Sequence, residues 1–127
     1  MPLPSKTMAH NFEPAVKAKT ADYTVTAEES GVLFTNRGAS AAITFTLPAV
    51  TNLPIGTRYE FYGVSATGFT VASNGSLDNI LTLNDIAADS ITCTSTSKII
   101  GASVTVIWDG VKWLARQASV GNTYTVA

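Results

Sequence analysis

The sequence predicts an all-β chain: an antiparallel β-sandwich of jelly-roll-like type, with about eight short strands and an extended N-terminal arm. Three observations lead there. From Asp22 onward apolar and polar residues alternate with period two, turn signals interrupt that alternation at short intervals, and nothing in the chain has the period of a long helix.

The segment 1–21 comes first and differs from the rest. It holds Pro2, Pro4 and Pro14 and the only histidine, His10, and shows neither a strand nor a helix period. Lys6, Lys17 and Lys19 make it basic against Glu13 alone. It reads as an extended arm with isolated apolar anchors at Leu3, Met8, Phe12 and Val16, which are candidate contacts to a neighbouring subunit or partner. Fully stretched, some 20 residues at ~3.3 Å each reach ~65 Å.

The domain 22–127 follows. Its alternating runs are Tyr23 to Thr26, Ile43 to Leu47, Tyr59 to Tyr62, Phe69 to Val71, Ile80 to Leu83, Ile91 to Cys93, Val104 to Trp108 and Val111 to Leu114. Thr on one face and β-branched or aromatic residues on the other suit a half-buried antiparallel sheet. Asn36-Arg37-Gly38, Leu53-Pro54-Ile55-Gly56, Ala66-Thr67-Gly68 and Ser73-Asn74-Gly75-Ser76 separate the runs. Asp109-Gly110, between two apolar strands, predicts a type I′ hairpin turn with both residues at positive φ, and Asn74-Gly75 is a second candidate. Thr26-Ala27-Glu28-Glu29 fits a capping box, and Gly31 limits any helix there to one turn.

Composition narrows the function classes. The 127 residues carry 8 Lys and Arg against 9 Asp and Glu, a net charge of −1, and only 13% are charged. So small a charge protects poorly against self-association, which favours burial against copies or a partner. Binding along a nucleic-acid duplex needs a cation cluster that the chain lacks, so no nucleic acid is expected. The N-terminus lacks the apolar run of a signal peptide, and no window approaches the ~18 apolar residues of a membrane helix, so no membrane partner is expected.

Candidates for chemistry are few. Cys93 shares a strand face with Ile91 and reads as a small core residue. One His and one Cys do not make a zinc site. Asp78, Asp85 and Asp89 fall in one loop-rich stretch, but their spacing matches no calcium loop. Adjacent Glu28 and Glu29 would point apart on a turn. Trp108 and Trp113, with Tyr59 or Tyr62, could form a platform for a sugar, though packing within their own hairpin is the simpler reading. No catalytic residue, cofactor or metal is expected.

The run Tyr23-Thr-Val-Thr-Ala-Glu-Glu-Ser-Gly-Val-Leu-Phe-Thr-Asn36, continued by Ala42-Ile-Thr-Phe-Thr-Leu-Pro48, resembles a small β-domain of tailed-bacteriophage virion proteins. In that domain a "tVTaaDSGtvftN" segment leads into "vtftLP". A Gly-x-x-Tyr-x-Phe strand follows, matched by Gly56 to Phe61, and an apolar strand, an Asp-Gly turn and a Trp strand close it, matched by Ser103 to Trp113. The likeness spans 22–115, with Glu29 standing where Asp is commoner. Such domains occur in capsid decoration (cement) proteins, head fibres and tail fibres. The resemblance implies a non-enzymatic homotrimer on the virion exterior, assembled in the host cytoplasm. A short arm plus one sandwich, without shaft repeats, fits a decoration protein that binds the major capsid protein. The alternatives are a tail-fibre or tail-appendage protein and a carbohydrate (host receptor) binding module.

Overall fold

The structure, a computed structural model, describes residues 15–94, 98–118 and 124–127. These form two facing β-sheets. The strands are β1 (Val16–Ala18), β2 (Tyr23–Thr24), β3 (Leu33–Thr35), β4 (Ile43–Thr46), β5 (Arg58–Tyr62), β6 (Phe69–Ala72), β7 (Ile80–Thr82), β8 (Asp85–Ala88), β9 (Ser90–Cys93), β10 (Ser103–Trp108), β11 (Trp113–Gln117) and β12 (Thr125–Val126), with one 3₁₀ turn at Ala27–Glu29. A seven-stranded sheet runs β1-β3-β5-β10-β11-β7-β8, and a five-stranded sheet runs β12-β9-β6-β4-β2. Each of the eight alternating runs of the sequence overlaps a strand.

The all-β sandwich is present, but the expectation that its sheets are antiparallel is corrected. The β1/β3, β3/β5, β2/β4, β4/β6 and β7/β11 pairs are parallel. The physical reason is the path of the chain. From β1 to β7 each strand lies in the opposite sheet from the one before it. The chain thus winds around the core, and successive strands of one sheet run the same way. Period-two alternation reports which face is buried, not which way the strand runs.

The segment 15–21 also departs from a free arm. Val16–Ala18 pairs with Leu33–Thr35 as an edge strand, and Val16 is 66% exposed. Strands β3, β8 and β12 carry no long alternation, being short or, in β8, interrupted by Ala87-Ala88.

Inward residues of both sheets meet in an aromatic core. Phe34 is the hub: its ring centroid lies 5.8 Å from Phe45, 5.7 Å from Phe61 and 6.3 Å from Tyr59. Phe45 packs 5.0 Å from Phe61, so neighbouring strands of opposite sheets interlock. Trp113 extends the cluster to Trp108 at 5.4 Å and Tyr59 at 6.0 Å. Each such aromatic contact adds about 0.5–1.5 kcal/mol beyond the area buried.

The hairpins redistribute the turn residues. Trp108 pairs with Trp113, so Gly110 and Val111 occupy the centre of the β10–β11 turn, and the assignment of Asp109-Gly110 as a type I′ pair is corrected. Gly110 has φ 98°, whereas Asp109 is not at positive φ. Asp109 instead acts through its side chain, whose Oδ1 accepts from the Val111 and Lys112 amides at 2.8 and 2.7 Å. These bonds hold its carboxyl below the ordinary aspartate range. Asn74-Gly75 joins β6 to β7, which lie in different sheets, and so makes no hairpin. The turn with two central residues at positive φ is Leu83-Asn84, at 44° and 67°, between paired Thr82 and Asp85. Leucine is a poor residue for that geometry, which is why the sequence hides the turn.

Two substitutions test these assignments by thermal melting. Gly110→Val places a β-branched residue at positive φ and should cost about 1–3 kcal/mol. Leu83→Asn should stabilise the fold by up to about 1 kcal/mol, since Asn tolerates the left-handed conformation.

Candidate functional site

Of the residues expected to make contacts, Leu3, Met8 and Phe12 lie outside the described residues, as does His10. Val16 sits on an edge strand and offers its side chain to solvent. Asp109 and Gly110 shape one end of the sandwich. There, a Cβ on Gly110 would lie 3.1 Å from Ile55 Cδ1, so Ile55 of the β4–β5 connection rests against the hairpin turn. Ile55 is 76% exposed and Val111 of the turn is 72% exposed. The Lys112 ammonium donates to the Asp78 carbonyl at 2.7 Å, which brings exposed Leu77 to the same end. Ile55 and Val111 thus stand exposed together at the hairpin turn of a charge-poor protein, with Leu77 exposed beside the Asp78 that Lys112 binds.

The capping box builds the most polar cluster. The Glu29 carboxylate, only 8% exposed, accepts from the Thr26 amide at 2.9 Å and from the Tyr23 hydroxyl at 2.8 and 2.9 Å. It also receives the Lys17 ammonium at 2.8 Å. Burial by itself raises its proton affinity, but the donors from Lys17, Thr26 and Tyr23 outweigh it and bring the carboxyl down to about 2. Lys17 belongs to β1 of one sheet and Tyr23 to β2 of the other, so one carboxylate ties the first strand of each sheet together. The Lys19 ammonium lies 3.8 Å over the Tyr23 ring, a second fastening of the same segment. Tyr59 closes the cluster from the core by donating to the Thr26 carbonyl at 2.6 Å, and burial pushes its hydroxyl up to about 12.

Asn36, which stands in a turn signal of the sequence, is a second buried hub. Its Oδ1 accepts from the Val64 and Ser65 amides at 2.7 and 2.8 Å, while its Nδ2 donates to the Ser65 and Gly68 carbonyls at 3.3 Å each. The β5–β6 connection thus folds around one side chain. A fully buried Asn with all its bonding capacity matched in this way is the signal that spacing alone does not carry.

The other chemical candidates are placed as follows. Cys93 is buried beside Ile91, and burial pushes its thiol up. Trp108, Trp113 and Tyr59 are buried, which leaves Tyr62 as the exposed member of the possible sugar platform. Asp89 Oδ1 accepts from the Asp78 amide and Asp85 Oδ1 from the Ala87 amide, so both serve local backbone. The Asp89 carboxyl hydrogen-bonds and repels that of Asp78, holding Asp78 above its ordinary range. Among the described residues no three His, Cys, Asp or Glu side chains group closely enough to hold a metal ion. No helix among them is long and apolar enough to cross a membrane.

No protein-family model matches the chain, and no curated protein matches it either.

The Glu29 cluster predicts an acid-dependent stability. Its folded carboxyl lies at about 2 against an ordinary 4.5, so its contribution is present above about pH 4.5 and is lost as the pH falls toward 2. Glu29→Gln should lower the melting temperature at pH 7, by roughly 1–3 kcal/mol in stability, and flatten the decline between pH 5 and pH 2. Circular dichroism melts of both proteins across that range check it.

Proposed function

We propose that this chain is a non-enzymatic structural protein of a tailed-bacteriophage virion. In this reading it is a homotrimeric capsid decoration (cement) protein that binds the major capsid protein on the virion exterior. The observation that carries the reading is the apolar end of the sandwich, where Ile55, Val111 and Leu77 stand exposed around the β10–β11 hairpin. A protein with 13% charged residues and aliphatic side chains at its tip is suited to burial against another protein surface. Each of these side chains, once covered, contributes about 1.5–3 kcal/mol. Three copies on one trimer would multiply a weak single contact through effective concentration.

The residues behind the phage-domain resemblance support the same direction. Glu29, Asn36 and the aromatic strands are engaged in holding the fold, which leaves the surface to do the binding. A sugar platform has less support, because three of its four candidate rings are buried. A tail-appendage role uses the same fold at another virion position and separates by copy number, hundreds for decoration and a handful for a tail part.

The test is co-sedimentation of the full chain with undecorated capsids of the same phage. Wild type should pellet with them, and Ile55→Asp combined with Val111→Asp should lose roughly ten-fold or more in affinity while melting normally. Sedimentation equilibrium without capsids should report a trimer. A stable monomer, or capsids that bind neither protein, would overturn the proposal.

A further inference from the structure

The outer face of the seven-stranded sheet carries its charges in an order that is complementary to itself about β10. Register sets Glu60 of β5 on one side of Thr105 and Arg116 of β11 on the other. Two residues along the strands, it sets Arg58 and Leu114 on either side of Ile107. Leu81 of β7 stands next to Leu114. The strand neighbours Tyr59, Phe61, Val104, Val106, Ile80 and Trp113 are buried, so this set points away from the core. Leu114 is 40% exposed and Leu81 39%, and among the described residues neither Glu60 nor Arg116 belongs to an ion pair.

Such a face can pair with a copy of itself about a twofold axis lying in the contact plane. An axis along β10 exchanges the neighbours on its two sides. Glu60 of each chain then faces Arg116 of the other, Thr105 and Ile107 meet their own copies, and the Arg58 stem lies over Leu114. An axis across the strands through Thr105 instead puts Glu60 on Glu60 and Arg116 on Arg116, which like-charge repulsion opposes. Charge thus selects the first arrangement, in which two equal ion pairs flank an isoleucine contact. Strands of the two sheets are aligned in it, and sheets stack ~10 Å apart, a gap that a Glu and an Arg side chain span together. The margin of the contact fits as well. The Gly31 amide donates to the Arg58 carbonyl at 2.7 Å, so Gly31 stands beside Arg58, one strand further from β10. A Cβ there would have no atom within 4 Å, which leaves room for Leu81 of the second copy.

We propose that a second copy of this chain docks on the outer face of the seven-stranded sheet, about a twofold axis along β10, through two Glu60–Arg116 pairs and Ile107 against Ile107. The contact is separate from the hairpin end and from the capsid reading built on it.

Sedimentation equilibrium of the full chain, without capsids, tests the proposal. The patch spans five strands, ~24 Å at ~4.8 Å each, which is small for a specific interface, so pairing is read at about 0.1 mM chain. Wild type should there reach at least twice the mass it shows when dilute. Glu60→Arg and Arg116→Glu, each alone, should weaken pairing at least about ten-fold, because each sets like charges face to face twice. An equimolar mixture of these two variants should pair again, since one then offers two cations to the two anions of the other. The double variant should pair as well. Ile107→Asp brings two carboxylates together on the axis and should abolish pairing, which provides the reading if a charge variant melts abnormally by circular dichroism. The dilute mass shows separately whether the unit that pairs is one chain or three, so failure of the trimer reading is told apart. A wild-type mass unchanged up to 0.1 mM would overturn the proposal. So would single variants that pair like wild type, or a mixture that fails to pair. Loss of capsid binding by Ile107→Asp in a protein that never pairs would give the face to the capsid instead.

Discussion

The Glu29 carboxylate is buried in a protein with few charges, and burial of a charge is unfavourable unless donors surround it. Here the donors come from three places: β1 through Lys17, β2 through Tyr23 and the 3₁₀ turn through Thr26. The first two belong to opposite sheets. The sandwich is therefore closed at its N-terminal side by one ionised group, not by packing alone. Tyr59 carries the connection into the aromatic core, since its ring touches Phe34 and Trp113 while its hydroxyl holds the turn. Removing any one donor leaves the carboxylate short of compensation, so the cluster is cooperative by construction.

Much of the strand inventory is legible in the sequence because β-branched and aromatic residues alternate with Thr. Ile43 to Leu47 and Val104 to Trp108 show this plainly. Strand direction is not legible, because both parallel and antiparallel neighbours bury every second residue. The capping box at Thr26 and Glu29 can be read from spacing, yet its reach to Lys17 depends on β1 folding back beside β3. Asn36 lies in a turn signal, and its four bonds come from a connection 28 to 32 residues away. Leu83-Asn84 reverses the usual inference, since tertiary packing of β7 against β11 imposes a turn that the local residues do not favour.

The surface divides into parts with different chemistry. The five-stranded sheet presents Thr44, Thr46, Thr70 and Thr92 outward, with Thr70 and Thr92 hydroxyls 3.1 Å apart, a polar ladder suited to water. The seven-stranded sheet places Ile107, Leu114 and Leu81 side by side on its outer face, and the hairpin end presents Ile55 and Val111. The two outer faces of the sandwich thus differ, one a threonine ladder and the other aliphatic side chains between Arg58, Glu60, Thr105 and Arg116.

The alternation of the chain between sheets also governs how the native state is reached. Among the described residues only β7–β8 and β10–β11 join strands that are consecutive in sequence, and the other pairs in both sheets bring distant segments together. Closing such long loops costs entropy before any contact returns it, so chains of this kind fold on the slow side, in milliseconds to seconds. The two hairpins meet through the β7–β11 pair and bury Trp113 against Trp108. These two hairpins hold the sequence-local strand pairs of the described residues, while the β7–β11 pair that joins them spans 33 residues, from Ile80 to Trp113. In the native fold the Lys17–Glu29 pair fastens the first strand to the turn that precedes β3.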